Sequence, residues 1–389
     1  MHSLLIILFF ISAALILQSY LFYPLWMIIF KPKTEGVNLI YTNTDELPAV
    51  GLLIAAYNEE KIIGEKILSV FKTNYPLSKI KVYVGSDASN DKTDEIITEL
   101  CKQYPNLQLV KFGGRTGKAN IINALAEKAT EDIFILTDAN VIFKEDTIFN
   151  LIRHFKDEKF AQVCANIIKV SGSDLGIAKQ EKSYIVFENK IKYAEYKRWN
   201  VVMGAEGGCY AIRKEFYAPV PKNFFMDDFY ITMNVIEKGK KIVFDNEAIC
   251  YEDVPTQAQE EFKRKVRISI GNFQNLLRYK GLLFPIWDGI AIAFWSHKVL
   301  RWLTPFFLIS CLVCSIILSF SSQFFLVLFI TQFFLMLFPI IDIISPFRFS
   351  GFKYISHFFL MNLALLKGFV MFVKGVETSI WQPTIRNIE

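Results

Sequence analysis

Two periodicities alternate along the middle of the chain, between about residues 48 and 279. "AVGLLIAAY" (49–57) is a continuous apolar run that ends in polar "NEE". That pattern predicts a strand buried on both faces of a parallel sheet. Ile63, Ile67, Val70 and Phe71 follow at helical spacing and predict an amphipathic helix. "KIKVYVGS" (79–86) predicts a second strand, and "DKTDEIITELCKQY" a second helix with acid in its first turn. "LQLVKF", "GKANIINALAEKA" and "DIFILTDAN" continue the series as strand, helix and strand. Such alternation predicts a doubly wound α/β domain with right-handed crossovers. Ligands then bind at the carboxyl ends of the strands. Those ends are "YNEE", "SDASND", "GGRTGK" and "TDAN", all polar, and all are expected to open onto one crevice.

The two ends of the chain follow a different pattern. Leu4 to Phe30 carries no charge and exceeds the roughly 20 residues that span a bilayer. Lys31 and Lys33 follow it, which predicts a cytoplasmic middle segment. A cleaved signal peptide is the rival reading. It suits the stretch less well, because no basic residue precedes it and it is longer than a typical apolar core. Leu303 to Phe320 and Phe324 to Ile344 are further apolar runs. Tyr354 to Val373 is another, with Lys367 near its middle. A lysine is costly in lipid, so that helix is expected in the interface or against protein. Phe284 to Leu300 is aromatic and punctuated by Asp288, His297 and Lys298. It predicts an interfacial amphipathic helix, with Trp287, Trp295 and Trp302 at headgroup level. Arg348 and Lys353 point to a cytoplasmic loop before the last run.

A net charge of +5 over 389 residues gives no nucleic-acid signal. The six cysteines show no metal-type spacing outside the apolar runs. Cys311 and Cys314 form a CxxC inside one such run, where packing is the expected role.

The chemistry is expected at the strand ends. "GGRTGKAN" (113–120) imitates a Walker loop but fails it. Phe112 stands where the first glycine belongs and Ala119 where the Mg²⁺-binding hydroxyl belongs. Thr116 is expected to cap the next helix. Lys118 then opposes the helix dipole, so it either meets an anionic ligand or is a solvated surface residue. Asp138 and Asn140 sit two apart at a strand end and face one side. They can share a hard divalent cation with a diphosphate, or the aspartate can simply cap a turn. Asp87 can accept from a base or ribose, while Asp91 suits a cap. Asp227 and Asp228 open a helix that Gly239 closes. Either they cap it, or one of them is a general base. Arg264 and Arg267 share a face of the basic helix "EEFKRKVRISIGNFQ". They suit a leaving diphosphate and anionic lipid equally.

Taken in order, "AAYNEE", "SDASND", "GGRTGKAN", "TDAN", "GAEGGCYAIRKE", "MDD", the basic helix and the apolar runs resemble the membrane-integrated family 2 glycosyltransferases. These include the cellulose, hyaluronan and poly-N-acetylglucosamine synthases. The resemblance implies a GT-A type, Rossmann-like nucleotide-sugar-binding α/β domain flanked by transmembrane and interfacial helices. It also implies Mg²⁺ or Mn²⁺ as cofactor. By position, Ala56, Tyr57 and Glu59 would line the nucleotide pocket, Asp87 would contact the base, and Lys118 would lie near the nucleotide. Asp138 and Asn140 occupy the metal-binding DxD site, with asparagine replacing the second acid. Asp228 falls at the general base. Gly207, Gly208 and Cys209, with Asp227, fall at the acceptor site, and Arg264 and Arg267 near the pyrophosphate. The family's QxxRW stands here as "RKVRI" (264–268), with Ile268 in place of tryptophan. That loss argues against polymer synthesis and for a different acceptor.

The implied reaction is an inverting transfer from a UDP-sugar to a glycan or lipid-linked acceptor. Asp228 would take the acceptor proton while the metal and Lys118 stabilise the departing diphosphate. A polyprenyl-phosphate sugar synthase and a non-catalytic nucleotide- or glycan-binding scaffold are the alternatives. The expected organisation is a transmembrane helix at 1–33, a cytoplasmic GT-A domain at 34–255, basic and interfacial helices at 256–302, and transmembrane helices and tail at 303–389. Membrane lipids are expected partners and nucleic acid is not. The sequence names no protein partner.

Overall fold

The computed structural model describes residues 2–30, 39–170, 177–253, 258–344 and 350–376. It divides into two units. One comprises residues 1–30 and 258–375, the other the intervening chain with the last few residues. Lys31, Lys33 and Arg348, which carry the predicted orientation, lie outside the described residues.

The first unit is helical. Helix α1 (His2–Ile29) runs through a π-type turn at Gln18–Phe22.

The second unit is built on one eight-stranded sheet. Its strands are β1 (Val50–Ala56), β2 (Ile80–Ser86), β3 (Leu107–Lys111), β4 (Ile133–Asp138), β5 (Val141–Phe143), β6 (Phe160–Val170), β7 (Cys209–Arg213) and β8 (Lys241–Asp253). Their spatial order is β3-β2-β1-β4-β7-β6-β8-β5. The first four strands in that order are parallel, and β1 and β4 are buried almost throughout. Their apolar runs leave no polar face, so helices must cover both sides. Helices α2 (Ile63–Phe71), α3 (Thr93–Gln103) and α4 (Lys118–Lys128) supply the crossovers.

Beyond β4 the sheet changes character. β7 is antiparallel to both β4 and β6, so the domain is a mixed sheet rather than the uniformly parallel one that alternation predicts. Helices α5 (Thr147–Ile152), α6 (Ile177–Trp199) and α7 (Asp227–Glu237) complete the unit. Gly239 ends α7 with φ +70°, a left-handed conformation that glycine adopts without strain.

The helical unit resumes with α8 (Ala258–Arg278), α9 (Gly289–Ser319), α10 (Gln323–Ile344) and α11 (Ser350–Lys374). Among the described residues, four helices are long and apolar enough to cross a membrane: His2–Ile29, Gly289–Ser319, Gln323–Ile340 and Lys353–Lys374. α1 packs on α9 through Phe9, Cys311, Cys314 and Leu318, with Phe325 of α10 closing the cluster. The Cys311/Cys314 pair is buried packing, as expected. α8 lies against α11, where a Cβ at Gly368 would stand 2.3 Å from that of Ser269. Ser269 Oγ donates to Leu365 O at 2.7 Å.

Two expectations for this unit change. α9 is continuous through residue 302, where the sequence suggests a boundary. Asp288 caps its start, with its carboxylate accepting from Ile290 N, and His297 is buried beside Tyr23. Trp302 is also buried, edge-on to Phe294, so its ring packs inside the protein rather than facing outward. Trp287 is 79 % exposed. Lys367 is exposed, with its ammonium 5.7 Å from the Phe262 ring centre.

Candidate active site

The parallel strands deliver their polar ends to one edge of the sheet. Ala56 closes β1, and its carbonyl accepts from Asp87 N at 2.9 Å. The loops after β1 and β2 are laced together. Glu59 N donates to Thr93 Oγ1 at 2.8 Å, Glu60 N to Asp91 Oδ2 at 3.1 Å, and Asn90 N to Asn58 Oδ1 at 3.0 Å. Asp91 also receives Thr93 N at 3.0 Å, which is the capping role expected of it.

Asp87 is wholly buried. Its carboxylate accepts from Arg115 Nε at 3.1 Å and from the backbone N–H groups of Thr116 and Gly117. Three donors on one carboxylate fix the glycine loop to β2. The Arg115 guanidinium lies 3.3 Å from the Tyr57 ring centre, a cation–π contact. Sequence reasoning passed over Arg115; the signal was an arginine between glycines at a strand end. Thr116 does not cap α4. Its hydroxyl donates back to Gly114 O at 2.9 Å, and Gly117, at φ +88°, holds the cap position. Asp87 takes the Thr116 N–H, and a glycine is needed to turn the chain into the helix.

Lys118 opens α4 with its ammonium 2.6 Å from Asp138 Oδ1 and 3.7 Å from Asp227 Oδ2. It therefore ties the end of β4 to the start of α7. Burial disfavours its charge, yet Asp138, Asp227 and Asp228 together hold its pKa above the ordinary lysine value. Burial and the neighbouring Asp227 carboxylate push Asp228 up to about 7, against the pull of Lys118. Asp228 Oδ1 accepts from Phe229 N at 2.7 Å. Met226, at φ +59°, turns the chain into this helix in a conformation unusual for a side chain-bearing residue.

The stretch before β7 passes directly over these acids. A Cβ at Gly207 would lie 2.9 Å from Asp228 Oδ2. One at Gly208 would lie 2.6 Å from the Ile167 side chain. Gly208 O accepts from Asp138 N at 3.1 Å and from Thr137 Oγ1 at 2.9 Å. Cys209 is buried at the start of β7. Gly207, Gly208, Asp138, Asp227, Asp228 and Lys118 thus come together.

Asn140 is buried, with its amide nitrogen 3.4 Å from Glu252 Oε1. Glu252 pairs with Lys169, Lys169 lies 3.5 Å from Glu206 Oε1, and Glu206 lies 3.9 Å from Lys192 Nζ. This ladder of alternating charge was not foreseen. Beneath the β4–β5 turn, fully buried Lys66 donates to Thr137 Oγ1 at 2.9 Å and to Val141 O at 2.5 Å. Its signal was a lysine inside an apolar helical stripe. Arg264 and Arg267 belong to α8 of the other unit. There, buried Glu261 pairs with Arg264 at 3.5 Å and with Lys265 at 3.2 Å. Burial raises the Glu261 pKa, but Lys265 and Arg264 draw it below the usual carboxylate value.

The family described as "Glycosyl transferase family 2" matches residues 52–218. Poly-β-1,6-N-acetyl-D-glucosamine synthase of Staphylococcus aureus (strain COL) is 27 % identical over 286 residues, 67 % of this chain and 66 % of that protein. The chain thus matches just under two thirds of that relative's length. The Staphylococcus epidermidis protein of the same name is 26 % identical over 322 residues, covering 73 % of this chain and 74 % of its own. A mannosyltransferase from Pyrobaculum calidifontis, solved with GDP-mannose and Mn²⁺, superposes with a TM-score of 0.70 at 20 % identity. The superposition covers 94 % of this chain and 99 % of that one, and it establishes the GT-A fold. The family match places a family 2 glycosyltransferase domain at residues 52–218 of this chain.

Proposed function

We propose that the protein transfers a sugar with inversion from a nucleotide-diphosphate sugar, a UDP-sugar, to a glycan or lipid-linked glycan at a membrane. The catalytic unit lies on the cytoplasmic side. One observation carries the reading: Lys118 binds Asp138 and Asp227 at once, with Asp228 beside them under a glycine loop. Donor-binding and acceptor-binding groups therefore share one crevice.

Asp228 removes the proton of the attacking acceptor hydroxyl. A carboxylate raised to about 7 is a stronger base than an ordinary aspartate and remains substantially ionised near neutral pH. Gly207 leaves an acceptor close access to it. Tyr57 and Arg115 offer a stacked surface to a base, and Ala56, Glu59 and Asp87 shape the surrounding loops. Lys118 provides positive charge where the diphosphate departs.

A divalent cation fits this site. Asp138 and Asp227 oxygens already converge on one cationic group, and Mg²⁺ commonly binds through one or two carboxylates plus substrate phosphates. Asp138 and the Asn140 amide oxygen would hold Mg²⁺ or Mn²⁺. When bound, it supplies Lewis-acid stabilisation to the diphosphate. The P. calidifontis neighbour was solved with Mn²⁺. The staphylococcal relatives are named for an N-acetylglucosamine polymer, which supports a glycan product despite Ile268.

The test is to incubate the purified protein with Mn²⁺ and a panel of UDP- and GDP-sugars, with and without membrane lipid, and measure nucleoside diphosphate release. Metal-dependent release from one donor supports the reading. No release from any donor overturns it in favour of a binding scaffold.

A further inference from the structure

A second cavity, of about 340 Å³, lies between the C-terminal half of β6, helix α6 and the bend of β8 at Asn246. Its polar wall is a chain of amides. Asn189 Nδ2 donates to Asn166 Oδ1 at 3.1 Å, and Asn166 Nδ2 donates to Asn246 O at 3.2 Å. Asn189 is 9 % exposed, and its Oδ1 has no hydrogen-bond partner. Ile185, Val186 and Tyr193 of α6 line the other side. An apolar wall with a few converging polar groups is the usual make-up of a small-molecule site, and this volume falls at the lower end of their range.

The wall chemistry selects the ligand. Side-chain amides both donate and accept, which suits neighbouring hydroxyls that do the same. Aliphatic side chains and a tyrosine suit the apolar face of a sugar ring. The Lys169 ammonium is engaged by Glu252 and Glu206, so the inner wall presents no unpaired charge from it, while the exposed Lys190 adds a cation to the lining.

The position selects the role. β7 is antiparallel to β4 and to β6, so β6 leaves the sheet at the same edge as Asp138. Lys169 lines the cavity and pairs with Glu206, the residue before Gly207. We propose that this cavity is a distal subsite that holds a sugar unit of the acceptor glycan away from the transfer point. The proposal rests on the glycosyltransferase reading above.

Two measurements on the full chain in detergent test it. The first is hydrogen–deuterium exchange over residues 164–170 and 183–193, with pentasaccharides of β-1,6-N-acetylglucosamine, cellopentaose and β-mannopentaose as probes. At least one probe should slow exchange in the wild type and lose that effect in Val186→Trp, which fills the cavity mouth. No slowing by any probe, or equal slowing in the variant, overturns the subsite. The second is the ratio of kcat/KM for a pentasaccharide acceptor to that for the monosaccharide. It should be about tenfold in the wild type, or ~1.4 kcal/mol, and fall towards one in Val186→Trp and Asn189→Leu at similar Tm. A ratio that persists in both variants overturns the subsite and leaves the catalytic reading standing. If the wild type transfers no sugar, the catalytic reading fails, and the exchange result alone decides the cavity.

Discussion

Asp228 and Gly207 touch only because one of them has no side chain. A Cβ at 207 would stand 2.9 Å from Asp228 Oδ2. Gly207→Ala should displace the carboxylate or the loop by a fraction of an ångström. Misplacement on that scale costs up to about 10²-fold in rate. We expect kcat to fall by roughly that factor, with nucleoside diphosphate affinity kept. Calorimetric titration of the nucleotide beside steady-state kinetics checks it. An unchanged kcat would show that the base lies elsewhere.

Asp228→Asn should lower kcat by about 10²- to 10⁴-fold without loss of the fold. Because Asp228 titrates near 7, wild-type kcat/KM should fall with falling pH below about 7, as the base is protonated, and level off above it. The variant's residual activity should lack that acidic limb. Near-wild-type turnover in Asp228→Asn would favour a lipid-phosphate acceptor, which needs no strong base.

Lys118→Met removes the ammonium that Asp138 and Asp227 share. Without nucleotide, Mn²⁺ should then bind more tightly, since two carboxylates lose their internal counter-ion. The KM for the donor should rise, since the diphosphate loses a cation. Electron paramagnetic resonance of free Mn²⁺ and donor kinetics read the two opposite shifts. Chelation of the metal should stop nucleotide release in the wild type.

Lys66→Met deletes a buried cation that holds the turn between Asp138 and Val141. Thr137 Oγ1 and Val141 O lose a donor, at a cost of about 1–3 kcal/mol in stability. Burial pushes this amine down to about 8 from an ordinary 10.5. The folded state thus favours the neutral amine. The stability this adds is complete above 10.5 and lost as pH falls through about 8. Thermal unfolding between those limits should rise less steeply with pH in the variant.

The first half of the sheet was legible because its strands are short apolar runs with polar ends that alternate with helical patterns. The second half was not. β6 carries Gln162 and Asn166 within its span, and its pairing with β8 depends on contacts some 80 residues apart in sequence. The carboxylates at 138, 227 and 228 were identifiable from their positions at element ends, but their shared cation was not, since only the fold brings Lys118 between them. In the helical unit, His297 and Trp302 read as interface markers. They are instead buried against Tyr23 and Phe294, a partnership invisible to hydropathy alone.

The reversal of direction at β7 has a consequence for how such an enzyme can diversify. Under the proposed function, the loops assigned to the nucleotide hang from strands running one way, and Gly207 and Gly208 arrive at the first strand that runs the other. Drift on the far side of that seam can retune what is glycosylated while leaving the grip on the activated sugar intact.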